Sequence, residues 1–156
     1  MSRDQNGVVH VRTEQAGDLE GAAWAMGFAH AMDRGLQISI MRILGQGRAS
    51  ECLESSDAML EVDRFFRRMD WRGKTAPEIA KLEPRHSRVL DRYCEGGNAR
   101  LLAKRPWELM LVGCRPEPWT PADVIMLSRM IGYLTLAQSQ AEVERLFVEM
   151  VQAGVD

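Results

Sequence analysis

The sequence predicts an α+β chain that is almost wholly helical and leaves its one strand without a neighbour of its own. A single β-branched run, Val8-Val9-His10-Val11, follows the Asn6-Gly7 turn, and nearly everything after it carries apolar residues at helical spacing. With 156 residues, 46% of them apolar, the chain has enough core for one domain or one subunit. A strand must satisfy backbone N–H and C=O groups, so a lone one implies that another chain supplies its partner.

The helices come in order. From Asp18, an N-cap, small and apolar residues fall at Leu19, Ala22, Ala23, Met26 and Ala29, then at Leu36, Ile40 and Ile43, which predicts one long helix or two in tandem. Asp57 is placed to cap a helix reaching Phe65 and Phe66. Pro77 and Pro84 open a stretch over Val89, Leu90 and Tyr93 that the Gly96-Gly97 pair is expected to stop, and Pro106 starts a short turn of helix. Between Cys114 and Pro121 each proline restricts the residue before it, so this stretch is extended; Thr120-Pro121-Ala122-Asp123 then reads as a cap with proline at the first helical position. Beyond it, Val124, Leu127, Ile131 and Leu134 form one stripe. Val143, Leu146, Phe147, Met150 and Val151 form another at i, i+3, i+4, i+7, i+8, so the last helix is expected to bury a face. No repeat is visible, which excludes a solenoid.

Composition removes several function classes. Lys+Arg at 20 against Asp+Glu at 22 gives a net charge of -2 with no basic block, which excludes a nucleic-acid footprint. Apolar runs fall far short of the roughly 20 residues of a membrane span, so a soluble chain that avoids membranes is expected. Met1 to Asn6 shows no leader pattern; a cytoplasmic location is expected, with a periplasmic or secreted one as the alternative if a leader lies outside this stretch. Cys52, Cys94 and Cys114, odd in number and without CxxC spacing, read as buried thiols rather than a metal site or a disulfide frame. The 10 methionines read mainly as core, and His10, His30 and His86 as structural. No GxSxG elbow, HExxH, Walker loop or strand-linked GxGxxG is present. The residues alone thus define a helical subunit with a partner-seeking strand.

A set of motifs in fixed order goes further. Arg3-Asp4-Gln5-Asn6-Gly7-Val8-Val9-His10-Val11, with Val9 in place of a proline, is followed by Gly27-Phe28-Ala29-His30-Ala31-Met32-Asp33-Arg34-Gly35-Leu36-Gln37, then by Arg42, Gly47, Glu51 and Leu53. Tyr93-Cys94-Glu95-Gly96-Gly97-Asn98 and Glu117-Pro118-Trp119-Thr120-Pro121-Ala122-Asp123-Val124 complete the series. Together these resemble the α chain of the penicillin acylase family of N-terminal-nucleophile hydrolases, from about residue 3 to 143. Each motif also has a plain structural reading: Asp33-Arg34 as an ion pair at a helix junction, Gly96-Gly97-Asn98 as a helix stop, Trp119 as a buried anchor.

The resemblance implies a four-layer αββα sandwich built from two polypeptides cut from one precursor, this chain supplying mostly helices with one or two strands and the β chain the nucleophile. Self-cleavage would free the β chain's N-terminal residue, a Ser, Thr or Cys whose own α-amino group, with a reference pKa of about 7.7–8.0, serves as base. No catalytic residue is therefore assigned here, Ser39 and Ser128 included. The stretch Gln152 to Asp156 resembles the end before an excised linker. The resemblance places acyl-pocket positions at Gly132, Thr135 and Leu136, with Tyr133, counted among the substrate-binding residues, and Met130 one helical step away as shapers of the wall; core packing is the alternative for both. These small and aliphatic side chains suit an apolar acyl group rather than a glutaryl acid, since each buried CH₂ contributes about 0.8 kcal/mol and a buried charge would need a partner. It also aligns Glu142 with a ligand of a structural Ca²⁺ shared with the β chain; a helix-dipole role is the alternative. No organic cofactor is expected.

Three functions are expected in turn. The first is hydrolysis of an N-acyl amide, such as an acylated β-lactam, an acyl-homoserine lactone or a lipopeptide, through an acyl-enzyme. A biosynthetic acyltransferase would use the same fold in the amide-forming direction. The third is a helical interaction subunit without catalysis.

Overall fold

The computed structural model describes residues 1–104, 106–111 and 113–154; Val155 and Asp156, at the expected linker junction, lie outside the described residues. Two short strands open the chain, β1 (Ser2–Arg3) and β2 (Val9–His10), paired antiparallel with Ser2 opposite His10 and Arg3 opposite Val9. Asp4 builds the turn between them, its Oδ1 accepting from the N–H groups of Asn6 and Val8 at 2.9 and 3.0 Å, and Gly7 adopts φ +81°. The strand predicted to be an orphan therefore has a neighbour within the chain. Ser2-Arg3 has no strand propensity to announce it, and the Asp4 turn holds it in register.

Helix α1 (Leu19–Gly45) begins where the sequence placed it, with Asp18 Oδ1 accepting from Gly21 N at 2.8 Å. It is both one helix and two, because Arg34 leaves helical geometry at φ -128°, ψ 20°. Then come α2 (Ala49–Cys52), α3 (Asp57–Met69), α4 (Ala76–Ile79) and α5 (Pro84–Leu101). The cap of α3 is Ser56, whose hydroxyl accepts from Met59 N at 3.3 Å; Asp57 is the first helical residue and places its charge at the positive end of the dipole. Helices α6 (Trp107–Leu111), α7 (Pro121–Gly132) and α8 (Gln138–Gln152) complete the chain, the last two joined by a π-helical turn, Tyr133–Ala137.

The core is the crossing of α1 and α5, and glycines set its closeness. A Cβ on Gly27 would stand 2.0 Å from the Tyr93 carbonyl oxygen, and one on Gly96 would stand 1.9 Å from the Trp24 carbonyl oxygen. Contrary to the sequence expectation, Gly96-Gly97 does not stop the helix; α5 runs on to Leu101. Close backbone contact offsets the roughly 1 kcal/mol that each glycine costs inside a helix. Ala31, Cys94, Leu101 and Trp119 fill the centre, with Ile38, Tyr93, Val124 and Leu127 packed around them.

The two later stripes behave differently from the expectation. On α7, Met126 and Met130 are fully buried and Val124 and Leu127 join the core, whereas Ile131 and, in the π-helical turn, Leu134 are exposed. On α8, Val143, Leu146, Phe147, Met150 and Val151 are all exposed, Phe147 at 66%. The helical period was legible, but no described residue of this chain covers that face. Among the described residues no helix is long and apolar enough to cross a membrane.

Candidate functional site

Gly132, Tyr133, Thr135 and Leu136 fall where α7 gives way to the π-helical turn. The local chemistry favours that change. Thr135 Oγ1 donates to the Ile131 carbonyl at 2.7 Å and Ser139 Oγ to the Thr135 carbonyl at 2.9 Å, both competing with regular helical bonds. π-Bulges recur at functional sites. A Cβ on Gly132 would meet open space, Thr135 is exposed, and Leu136 is 74% exposed. These three line one stretch of surface. Tyr133 is half-buried instead, its ring packed on Phe65 and Trp71 with centroids 5.6 and 5.4 Å away, and Met130 is buried in the core.

Beside this stretch an apolar cleft of ≈ 270 Å³ runs between α1, α5 and α7, with Trp119, Val124 and Leu127 on its floor and Ile131, next to Gly132, at its edge. His30 Nδ1 and the Tyr93 hydroxyl lie 2.9 Å apart at the same cleft. Neither serine resembles a nucleophile in its setting: Ser39 Oγ donates to the Gly35 carbonyl at 2.6 Å and Ser128 Oγ to the Val124 carbonyl at 3.1 Å. Burial pushes the Cys94 thiol up to about 12, far from the thiolate that chemistry needs. His10 faces Asp4 at 3.1 Å.

Glu142 is exposed in the first turns of α8. Among the described residues no three His, Cys, Asp or Glu side chains gather as a metal set. Calcium wants 6–8 oxygens, so Glu142 fits only as one ligand of a site completed elsewhere.

The ordered motifs are the joints of the scaffold behind this surface. Arg3 pairs with Asp33 and ties the hairpin to α1; Asp33 does not pair with Arg34, whose place is the kink. Asn98 and Trp119 bond reciprocally, Trp119 N donating to Asn98 Oδ1 at 2.6 Å and Asn98 Nδ2 to the Trp119 carbonyl at 3.0 Å. Trp119 is buried as expected, under the Arg42 guanidinium at 5.6 Å.

Asp123, 0% exposed, is the centre that sequence reasoning missed. Its Oδ2 accepts from the Thr120 N–H and hydroxyl at 3.0 and 2.8 Å and meets Arg42 at 3.3 Å, while its Oδ1 accepts from Arg72 Nε at 3.0 Å and Gln46 Nε2 at 3.2 Å. Burial alone would raise this carboxyl, but the Thr120 bond and the two guanidiniums outweigh it and hold it below the ordinary carboxylate value. Asp63 is a second such group: burial raises it, and bonds from Ser50 and Ala49 bring it below the ordinary value. A sequence signal existed for Asp123, which stands three and seven residues before Met126 and Met130, on the buried phase of α7.

Penicillin G acylase from Alcaligenes faecalis has a solved chain that superposes with a TM-score of 0.77 at 27% identity, covering 97% of this chain and 80% of that one. The fold is thus that of an acylase chain. The family model for penicillin amidase matches residues 1–155, and the chain belongs to that family. Acyl-homoserine lactone acylase QuiP of Pseudomonas aeruginosa is 32% identical over 135 residues, 85% of this chain and 16% of that protein. Penicillin acylase 2 proenzyme of Pseudomonas sp. strain SE83 is 34% identical over 136 residues, 86% of this chain and 17% of that protein. The chain therefore spans about a sixth of the length of these relatives.

Proposed function

We propose that this chain is the helical α subunit of a self-processed, two-chain N-acyl amide hydrolase. The second chain, cut from the same precursor, bears the N-terminal nucleophile. The observation that carries this reading is the uncovered apolar surface that begins at the π-helical turn with Leu134 and Leu136 and continues along α8 through Leu146 and Phe147. An exposed run of large apolar side chains of this kind is what an interaction surface presents. The small share of the relatives' length that this chain spans leaves room for the chain that covers it.

In this reading the second chain's terminal hydroxyl or thiol attacks the acyl carbonyl while its α-amine takes the proton. The amine product leaves with that proton, and water then releases the acid from the acyl-enzyme. The present chain binds the acyl group rather than reacting with it. Gly132 leaves room, Thr135 and Leu136 form the wall, and Tyr133 shapes it from behind. An acyl tail placed there meets few polar groups, so straight or bulky apolar acids fit and dicarboxylic acids do not. Glu142 supplies one ligand of a calcium ion shared with the partner.

The test is an acid-release assay on the complete protein with N-acyl amides of apolar and glutaryl type, with and without a competing amine. Free acid from apolar substrates is expected, and an excess of new amide over acid would overturn hydrolysis in favour of acyl transfer. Leu136→Arg, which places a charge on the wall, is expected to raise KM for apolar substrates on the order of tenfold with a smaller effect on kcat. An unchanged KM would remove Leu136 from the pocket.

A further inference from the structure

Tyr133 opens the π-helical turn and is held from a different part of the chain. Its ring rests on Phe65 of α3 and on Trp71 just beyond it, at 5.6 and 5.4 Å between centroids. The seat is itself braced. Phe66 packs on Phe65 at 5.2 Å and on Trp71 at 5.8 Å. Arg129, one turn before Tyr133, donates to the Trp71 carbonyl at 2.6 Å and pairs with Glu78. Downstream, Leu134, Thr135 and Leu136 are exposed.

A π-helical turn spreads more residues over one turn than an α-helix does, so the side chains within it, Thr135 and Leu136 included, are rotated progressively away from the directions they would take in uninterrupted helix. Without the turn, Thr135 and Leu136 would face another direction. The residue that fixes where the turn begins therefore decides which side chains reach the wall. We propose that Tyr133 is a positioning residue that sets acyl selectivity without touching the substrate, its seat on Phe65 and Trp71 holding the turn in the phase that presents Thr135 and Leu136. This rests on the proposed role of the same turn as acyl wall. The aromatic face carries the effect, not the hydroxyl.

The experiment measures kcat/KM of the complete enzyme on straight-chain N-acyl para-nitroanilides of increasing length. Tyr133→Ala is expected to change the ratio of long-chain to short-chain kcat/KM on the order of tenfold, chiefly through KM, and Tyr133→Phe to keep it within about twofold. Trp71→Leu and Phe65→Leu are expected to move the ratio in the same direction; Phe65 is partly exposed, so its variant carries the test if Tyr133→Ala does not fold. Equal losses at every acyl length, or an unchanged ratio in these variants while Leu136→Arg still alters selectivity, would overturn the positioning role and leave the acyl wall intact. No change of selectivity from either group of variants would overturn both.

Discussion

Gly96→Ala is expected to destabilise the protein by about 3 kcal/mol or more, beyond the usual range for an added methyl group in a packed core. The new Cβ would stand 1.9 Å from the Trp24 carbonyl oxygen and 3.1 Å from Phe28 N, both backbone atoms of α1 that cannot swing aside. Relief requires the two helices to part, which opens the packing around Ala31, Cys94 and Trp119. The sign makes the test decisive. By helix propensity alone, Ala for Gly in mid-helix would stabilise by up to about 1 kcal/mol. Gly132→Ala, whose Cβ meets nothing within 4 Å, is the matched control and is expected to be neutral or slightly stabilising. Thermal and denaturant unfolding of the complete protein reads both. A Gly96→Ala protein as stable as the parent would show that the helices cross less tightly than these distances require.

Asp123→Ala is expected to destabilise by about 3 kcal/mol through a different route, leaving Arg42 buried without one of its carboxylates and freeing the start of α7. Arg42 keeps its bond to the Glu117 carbonyl at 2.8 Å, so the loss is partial on that side. The same carboxylate makes stability pH-dependent. Asp123 and Asp63 both have folded values below the ordinary one, so the unfolded chain takes up protons first as pH falls. Their stabilisation is complete above about pH 4 and is lost as pH drops through the lower folded values. An acid titration of the unfolding midpoint is expected to show this fall, and Asp123→Ala to flatten part of it. A midpoint indifferent to acid, or a titration that the substitution leaves unaltered, would contradict the role given to Asp123.

Local signals were legible in the sequence, and distant ones were not. Asp18 and Thr120-Pro121 mark helix starts because a cap acts on residues within one turn of itself. Ser56 and Asp57 are adjacent residues that both suit a cap, and choosing between them takes the backbone dihedral, φ -139° at Ser56. Gly96-Gly97 carries the signature of a helix end, but its meaning depends on Gly27 and Trp24, more than sixty residues upstream. The period on α8 was legible and what covers it was not, since periodicity tells which residues share a face and not what lies against them.

The candidate site divides in the same way. Gly132, Thr135 and Leu136 were found through the order of motifs, and their neighbourhood on one turn comes from spacing. The π-helical turn has no sequence signature beyond Thr135 and Ser139 at back-bonding positions, so the seat that turns Tyr133 toward Phe65 and Trp71 emerged only in three dimensions.

On the proposed reading, these helices serve a nucleophile carried by another polypeptide cut from the same precursor. Intact mass together with N-terminal sequencing of the mature protein distinguishes that arrangement from a single-chain one. Two polypeptides are expected, the second beginning with Ser, Thr or Cys. A single uncut polypeptide, or a second one that begins with a residue lacking a hydroxyl or thiol, would contradict the account.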